Sequence, residues 1–244
     1  MAFDHDHGVW DILLKKHVMM KDTKQSSRVD YEGIKKDEAL FETYLSNLSS
    51  VSQAEFDAWT RDQRLAFLIN AYNAFTIKLI VEHYPVKSIR DIGGWFKKPW
   101  KIEFVPLLEK KRSLDDIEHN LIRQKGVFDE PRIHVALVCA SIGCPALINE
   151  AYAYDKLDNM LESALVHFLS DRSRNRFDRE KNRFEISSLF SWYEQDFKDK
   201  YGSLNDFLIR YGKVFTLTGS ELEIINQGKF SVDYLDYDWS LNDY

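Results

Sequence analysis

Residues 64–81 form an apolar run that constrains the fold more than any other part of the chain. Read at helical spacing, the run is apolar nearly all the way round, and a helix of that kind needs protein on every side. We therefore predict a buried central helix. Asn70 and Asn73 lie one turn apart in it, and buried amides must be hydrogen-bonded. They either tie neighbouring loops to the helix or present an amide to a substrate.

Spacing and capping pairs predict the remaining elements. Helices are expected at about residues 9–20, 35–48, 114–123, 155–169, 188–197 and 204–211, and extended segments at 28–31, 102–107, 133–138, 177–186 and 230–235. Ser52 with Glu55, and Ser113 with Asp116, form capping pairs before two helices. The pattern predicts a mostly helical α+β domain with a small mixed or antiparallel sheet. Residues 1–50 are expected to form a helical cap packed on a main domain of residues 51–244.

Composition excludes several classes of protein. The 244 residues are 44% hydrophobic, which suffices for a sizeable core, and the formal net charge is −6 without a basic stripe. Nucleic acid is therefore not an expected partner. We count no run that reaches the roughly 18–20 apolar residues of a membrane helix, so no membrane span is expected. The first residues lack a signal peptide. We expect either an envelope protein whose signal was removed or a cytoplasmic one, with the oligomeric state left open.

Both cysteines of the chain lie in residues 132–145, which is where the sequence concentrates its chemistry. Proline favours the first position of a helix, so Gly143-Cys144-Pro145 predicts Cys144 as a helix N-cap with a lowered thiol pKa. The N–H groups around Gly143 and Cys144 are then candidates for an oxyanion hole. A regular strand would carry Cys139 about 16 Å beyond His134, so Cys144 is preferred to Cys139 as the nucleophile.

A nucleophilic cysteine needs a base, and His134 is the stronger of the two histidine candidates, the other being His119. Glu118 is the expected orienting carboxylate. Other interpretations remain open: a satisfied core histidine, a Cys139–Cys144 disulfide, buried thiols, or a structural ion pair of Glu118 with a nearby arginine. The Cys and His spacing matches no zinc pattern, and dinucleotide and phosphate loops are absent, so neither metal nor cofactor is expected.

Several motifs are distinctive in combination. They are FLINAYNA (67–74), YPVKSIRD (84–91), SLDDIEH (113–119) and RIHVALVCASIGCP (132–145), with weaker support from SLFSWY (188–193) and YDWSLN (237–242). Together they resemble the domain of unknown function 547 family across nearly the whole chain. The family's recurring elements match Glu118, His119, Arg132, His134, Cys139 and Cys144. Many relatives have Ser where this chain has Gly143. The resemblance implies an exported or envelope protein of bacteria, hence a periplasmic location.

The leading hypothesis is a cysteine-dependent hydrolase or acyl transferase with a papain- or transglutaminase-like arrangement. Cys144, or else Cys139, attacks an amide or thioester-like bond of a small-molecule or peptide-like substrate, His134 takes the proton and Glu118 orients the imidazole. The residues expected to line the pocket are Asn73, His119 and Arg132. The alternative is a non-catalytic envelope binding module, held by a Cys139–Cys144 disulfide, whose contact surface is the aromatic loop of residues 95–100.

Overall fold

Helix α5 (Arg61–His83) is the central element of the fold and confirms the buried helix predicted from the apolar run. The computed structural model describes residues 3–21, 24–94 and 98–244. Thr60 begins α5 with a capping box: its hydroxyl accepts the Gln63 N–H, and the Gln63 side chain accepts the Thr60 N–H. Side chains on all sides of the helix are buried, including Phe67 and Ile77. The helix is apolar all round because protein surrounds it on every side.

The same helix contradicts the expectation that no run of the chain is long and apolar enough to span a membrane. By length and composition α5 is long and apolar enough to cross a membrane, with a mean hydropathy of 1.3 over its most apolar 18 residues. However, 83% of that window is buried inside the protein. A core helix surrounded by other elements carries the same apolar composition, so burial accounts for it here.

Four shorter helices pack with α5 in a first hydrophobic core. They are α1 (Gly8–His17), α2 (Tyr31–Lys36), α3 (Glu38–Ser49) and α4 (Gln53–Asp57). The Ser52 hydroxyl accepts the Glu55 N–H and begins α4, as the capping pair predicts. Trp10 and Leu45 belong to the same core as Phe67. The N-terminal helices therefore share one core with the central helix.

Three small sheets complete the α+β fold that the sequence predicts. The strands are β1 (Val18–Lys21), β2 (Ser26–Val29), β3 (Val105–Leu107), β4 (Lys110–Arg112), β5 (Arg176–Asp178), β6 (Arg183–Ser187) and β7 (Ser231–Leu235). β1 with β2, β3 with β4 and β5 with β6 pair antiparallel, whereas β6 and β7 pair parallel. Phe184 lies opposite Phe177 and Val232 at the centre of the three-stranded sheet.

A second hydrophobic core lies between this sheet and the helices of the C-terminal part. Those helices are α7 (Leu157–Ser170), α8 (Leu189–Trp192), α9 (Glu194–Tyr201), α10 (Leu204–Arg210) and α11 (Gly219–Asn226). Phe168, Phe190, Phe197 and Phe207 fill it. The aromatic core fixes α9, which carries a carboxylate of the candidate site.

Residues 133–138 do not form the predicted strand. Pro131–Val135 is a 3₁₀ helix, and the Glu130 side chain accepts the Arg132 N–H at its start. Proline at the first position favours such a start. Burial on every side produces the same continuous apolar pattern in a strand and in a packed helical turn, so the pattern did not distinguish them. Two further short 3₁₀ helices, Ile89–Asp91 and Pro99–Lys101, contribute Arg90 and Trp100 to the wall of the cavity described below.

Candidate active site

A cavity of about 860 Å³ brings together five of the predicted site residues: Glu118, His119, His134, Cys139 and Cys144. They come from two separate segments of the chain. Asn73 and Arg132 are not on its wall. The cavity therefore joins the motifs around 113–119 and 132–145, and excludes two residues that the sequence assigned to the pocket.

The segment 139–144 reverses direction at Ala140, whose φ of 58° lies in the left-handed region. The C-terminal segment holds this turn through backbone hydrogen bonds. Ile142 N–H donates to Ser240 O, Gly143 N–H to Asp238 O and Asn242 N–H to Ala140 O, at 2.8, 2.8 and 3.2 Å. The reversal brings Cys144 back beside Cys139, so that the Cys139 N–H donates to Cys144 Sγ at 3.0 Å.

Cys139 is the partly exposed residue of the pair. Its Sγ lies 2.9 Å from the Tyr237 hydroxyl and 3.2 Å from the Ser141 hydroxyl. Burial by itself would raise the pKa of the Cys139 thiol, but hydrogen bonds from Cys144, Ser141 and Tyr237 outweigh it and lower the pKa. Hydrogen bonds to the thiolate favour the charged form, which is the nucleophilic one.

Cys144 has the opposite surroundings. It is buried, and burial together with the hydrogen bond and charge of Cys139 raises the pKa of its thiol. No helix begins at Pro145, because residues 145–148 lack regular structure. The helix N-cap that favoured Cys144 is therefore absent, and that argument was wrong. Burial and hydrogen bonding favour Cys139 as the reactive thiol.

The N–H groups that were expected to form the oxyanion hole already donate to backbone carbonyl oxygens. Gly143 N–H donates to Asp238 O at 2.8 Å, and Cys144 N–H donates to Ser141 O at 3.1 Å. Both donors are thus already used in holding the turn. The hydroxyls of Tyr237 and Ser141 lie within hydrogen-bond distance of Cys139 Sγ.

His134 is buried beneath Tyr193, with the two rings stacked at a centroid distance of 3.6 Å and an angle of 16°. Its Nε2 lies 2.7 Å from Asp196 Oδ2. Burial lowers the pKa of His134, and Asp196 opposes that effect. An ionised carboxylate accepts only, so Nε2 carries the proton of the neutral ring and Nδ1 keeps a lone pair. The carboxylate that orients His134 is therefore Asp196, whereas the sequence assigned Glu118.

Asp196 lies at the centre of a polar network. Arg123 donates to both of its oxygens, from Nε at 2.7 Å and from Nη2 at 2.9 Å. Burial would raise the pKa of Asp196, but the hydrogen bonds from His134 and Arg123 hold it well below its usual range. Arg123 Nη1 also lies 2.7 Å from His119 Nδ1. Arginine always donates, so Nδ1 of His119 accepts and its proton is on Nε2.

Glu118 is buried on the cavity wall at 6% exposure. The Tyr72 hydroxyl donates to its Oε2 at 3.3 Å. Oε1 is buried and has no hydrogen-bond partner among the described residues. Ser113 caps α6 (Leu114–Asp116), and the chain continues as a π-helical turn, Ile117–Ile122, that carries Glu118. Turns of this kind are frequent at functional sites.

Asn73 and Arg132 have structural partners elsewhere. Asn73 Nδ2 donates to Ala136 O and its Oδ1 accepts the Val138 N–H, both at 2.9 Å. Arg132 forms ion pairs with the carboxylates of Glu130, Asp158 and Glu162. Asn70 binds the backbone of Tyr152 in the same way as Asn73 binds 136–138. The amides of α5 thus tie loops to the central helix, which is the first of the two interpretations of this pair.

Aromatic rings form the outer wall of the cavity. Trp192 and Trp239 stack at 5.7 Å, and Tyr237 contacts both rings at 4.8 and 4.5 Å. Trp192 is 49% exposed, so part of this wall is open to a ligand. Trp100 meets Trp239 edge-on. Residues 95–97 of the predicted aromatic loop lie outside the described residues.

Tyr193, Asp196, Trp192 and Tyr237 were not assigned to the site from the sequence. Three of them, Tyr193, Trp192 and Tyr237, belong to the two weaker motifs, 188–193 and 237–242. Those motifs were the signal that could have located them. Within residues 3–21, 24–94 and 98–244, no group of three or more His, Cys, Asp or Glu side chains is arranged to hold a metal ion.

Comparison with known proteins gives a family and no activity. Neither the curated proteins nor the solved structures contain a match to this chain. A family model described as "Protein of unknown function, DUF547" matches residues 56–169, which include Glu118, His134 and both cysteines. The motifs at 188–193 and 237–242 lie beyond the matched segment. Over residues 56–169 this chain matches the DUF547 family, the family that its sequence motifs predict.

Proposed function

We propose that the chain is a cysteine-dependent acyl transferase or hydrolase whose nucleophile is Cys139. The observation that carries the proposal is the position of Cys139 Sγ on a cavity wall, within 2.9 and 3.2 Å of two hydroxyl groups. Hydroxyl donors at that range stabilise a thiolate. They also lie beside the carbonyl oxygen of any acyl group that Cys139 attacks, where negative charge develops.

In the proposed reaction Cys139 Sγ attacks the carbonyl carbon of an amide or thioester-like bond. The thiol proton passes to His134 Nδ1, directly or through one water, and then to the leaving amine or thiol. Asp196 holds the ring in the tautomer that leaves Nδ1 unprotonated. Water or an acceptor amine then releases the acyl group from Cys139.

The size and lining of the cavity support a small-molecule or peptide-like substrate. About 860 Å³ is within the usual range for ligand sites. Trp192, Tyr237 and Trp239 offer aromatic surface to an apolar or planar part of the substrate. Cys139, His134 and Glu118 all line this cavity. We keep the periplasm as the proposed location.

The first experiment labels the reduced, folded protein with limiting iodoacetamide and maps the modified peptides by mass spectrometry. We expect labelling of Cys139, its loss in Cys139→Ala and its retention in the matched variant Cys144→Ala. Preferential labelling of Cys144 would reverse the assignment. Unmodified cysteines in folded protein, with full labelling after denaturation, would refute a reactive thiol at this site.

The second experiment tests acyl transfer with p-nitrophenyl acetate and a panel of acyl thioesters. We expect an acyl adduct on the peptide that contains Cys139, and none in Cys139→Ala. His134→Gln should slow acylation by roughly 10²–10⁴-fold, the usual contribution of a positioned base. A reactive Cys139 that gains no acyl group from any ester or thioester would contradict acyl transfer while leaving the thiol assignment intact.

The exposed aromatic wall also favours a second candidate, a non-catalytic binding module. Trp192 is unusually exposed for a large aromatic side chain, and it stacks on Trp239. In an oxidising compartment a Cys139–Cys144 disulfide would hold such a module. Mass measurement of native protein with and without reductant separates the candidates, because a quantitative disulfide favours the module and free thiols favour the enzyme.

A further inference from the structure

We infer that Cys139 and Cys144 form a peroxide-oxidisable pair, in which Cys139 is oxidised first and Cys144 then closes a reversible disulfide. The inference concerns the chemistry of the two thiols and does not require acyl-transfer activity. It rests on the contacts of both sulfur atoms and on the chain reversal that brings them together.

The first step needs a thiolate that a hydroperoxide can reach. Cys139 is partly exposed on the cavity wall, whereas Cys144 is buried at 5% exposure. Tyr237 and Ser141 place hydroxyls at 2.9 and 3.2 Å from Cys139 Sγ. These donors stabilise the thiolate and also lie where they can donate to the departing oxygen of the peroxide. Susceptibility to oxidation follows thiolate character and exposure, and both favour Cys139.

The second step needs a second thiol within reach of the oxidised sulfur. The reversal at Ala140 turns the Cys139 N–H onto Cys144 Sγ at 3.0 Å, so the sulfur of Cys144 lies against the backbone of Cys139. Backbone hydrogen bonds from Ile142 and Gly143 to the C-terminal segment hold Cys144 in this place. The pair is free in the structure, so the reduced form is compatible with the fold.

The chemistry balances with a hydroperoxide as the only oxidant. The Cys139 thiolate attacks the outer oxygen of ROOH, the O–O bond breaks, and Cys139 becomes a sulfenic acid. The departing RO⁻ takes up the proton that the Cys139 thiol released and leaves as ROH. Cys144 sulfur then attacks Cys139 sulfur, the S–O bond breaks, and hydroxide takes the Cys144 proton to leave as water. The net reaction converts two thiols and ROOH into a disulfide, ROH and water. A dithiol reductant reverses it by thiol–disulfide exchange.

This oxidation would remove the thiolate of Cys139 from the cavity. Any activity or labelling that depends on Cys139 should therefore disappear on oxidation and return on reduction. The two thiols serve different purposes in this scheme, since Cys139 meets the peroxide and Cys144 protects it from further oxidation to the sulfinic acid.

The test exposes reduced full-length protein to a small excess of hydrogen peroxide, alkylates it under denaturing conditions and measures intact mass and peptide maps. We expect loss of two hydrogen atoms and a Cys139–Cys144 peptide link, both reversed by dithiothreitol. In Cys144→Ser the sulfenic acid should persist on Cys139 and be captured by dimedone. Two results would overturn the inference. One is sulfinic acid on each cysteine without a disulfide link; the other is dimedone capture on Cys144 in Cys139→Ser as fast as capture on Cys139 in Cys144→Ser.

A second pair of variants keeps the test informative if the cysteine variants fold poorly. Tyr237→Phe removes the closest donor to Cys139 and should slow disulfide formation about tenfold, since a hydrogen bond to a charged group contributes that much. Tyr211→Phe removes a hydroxyl that binds Glu162; neither residue lines the cavity, so the rate should be unchanged. Equal rates in the two variants would contradict the role given to Tyr237 and to the thiolate that it stabilises.

Discussion

His134 and Asp196 are 62 residues apart in the chain, and their side chains meet at 2.7 Å between Nε2 and Oδ2. The contact lies under the Tyr193 ring and beside Arg123, which binds both oxygens of Asp196. The pair links the 3₁₀ helix Pro131–Val135 to α9, which packs in the second hydrophobic core. This contact fixes the tautomer of His134, the stronger of the two histidines that the sequence proposed as a base.

The Asp196→Asn variant should lower the pKa of His134. Burial already lowers that pKa, while the hydrogen bond and charge of Asp196 raise it, so removal of the charge leaves burial less opposed. NMR titration of the imidazole measures the change. We also expect a loss of about 1–3 kcal/mol in the free energy of unfolding, since Arg123 and His134 lose a charged partner. The exposed variant Asp57→Asn is the control, and a raised pKa of His134 would contradict this account.

The Ser141→Ala variant should shift the pH dependence of Cys139 labelling upwards. Below its pKa the thiol reacts slowly, so the midpoint of the rate profile reports the formation of thiolate. Hydrogen bonds from Cys144, Ser141 and Tyr237 lower the pKa of Cys139 against the opposing effect of burial. Loss of one hydroxyl should raise the midpoint by about one pH unit. Ser50→Ala, which removes an exposed hydroxyl bound to Asn47 O, should leave it unchanged.

The Gly143→Ala variant tests how the C-terminal segment supports the site. A Cβ at Gly143 would lie 2.9 Å from Asp238 N and 3.0 Å from both Asp238 O and the Tyr237 ring. Backbone atoms at that distance must move, so we expect a loss of about 1–3 kcal/mol in stability and a higher labelling midpoint for Cys139, because Tyr237 is displaced. Denaturant unfolding and the labelling profile measure the two effects.

The matched control for Gly143 is Gly219→Ala in α11. No atom lies within 4 Å of a Cβ built at Gly219, and alanine favours a helix over glycine. We expect unchanged or slightly raised stability there. If both variants behave alike, the close approach of Asp238 to Gly143 has no energetic consequence. The same crowding disfavours a serine at 143, the residue that many relatives were expected to have.

Local signals predicted the elements that depend on local physics. The apolar run gave α5, and the hydroxyls of Ser52 and Ser113 cap the helices that their pairs predict. The 3₁₀ helix Pro131–Val135 was missed because a packed turn and a buried strand have the same apolar composition. The wrong strand then misdirected the choice between Cys139 and Cys144, since the choice was based partly on strand length.

Long-range contacts account for what the sequence could not provide. Asp196 is one of several charged residues on α9, and nothing in its spacing distinguishes it until His134 and Arg123 reach it in the fold. Tyr237 reaches Cys139 from 98 residues away through the backbone pairing of residues 238–242 with 140–143. Side chains that were chosen by type and motif, such as Glu118 and Cys139, did arrive at one cavity. Their partners had to be found in three dimensions.

His7 should make the protein sensitive to acid through its burial in the first hydrophobic core. Its ring is buried, Nδ1 lies 2.8 Å from the Tyr44 hydroxyl, and Nε2 has no partner among the described residues. Burial lowers the pKa of His7 from 6.5 to about 3. Above pH 6.5 the ring is neutral in both states. As the pH falls below 6.5, His7 binds a proton in the unfolded chain but stays neutral in the folded protein. The free energy of unfolding therefore decreases until about pH 3.

At about 1.4 kcal/mol per unit of pKa, the full loss from His7 is at most about 5 kcal/mol, and burial of His134 acts in the same direction. The His7→Gln variant should flatten the decrease in stability between pH 6.5 and 4, as measured by urea unfolding at a series of pH values. His83→Gln is the matched control, because His83 is exposed at the end of α5, with Nδ1 2.9 Å from Leu79 O. An equally steep acid loss in His7→Gln and wild type would show that His7 protonates without unfolding the core.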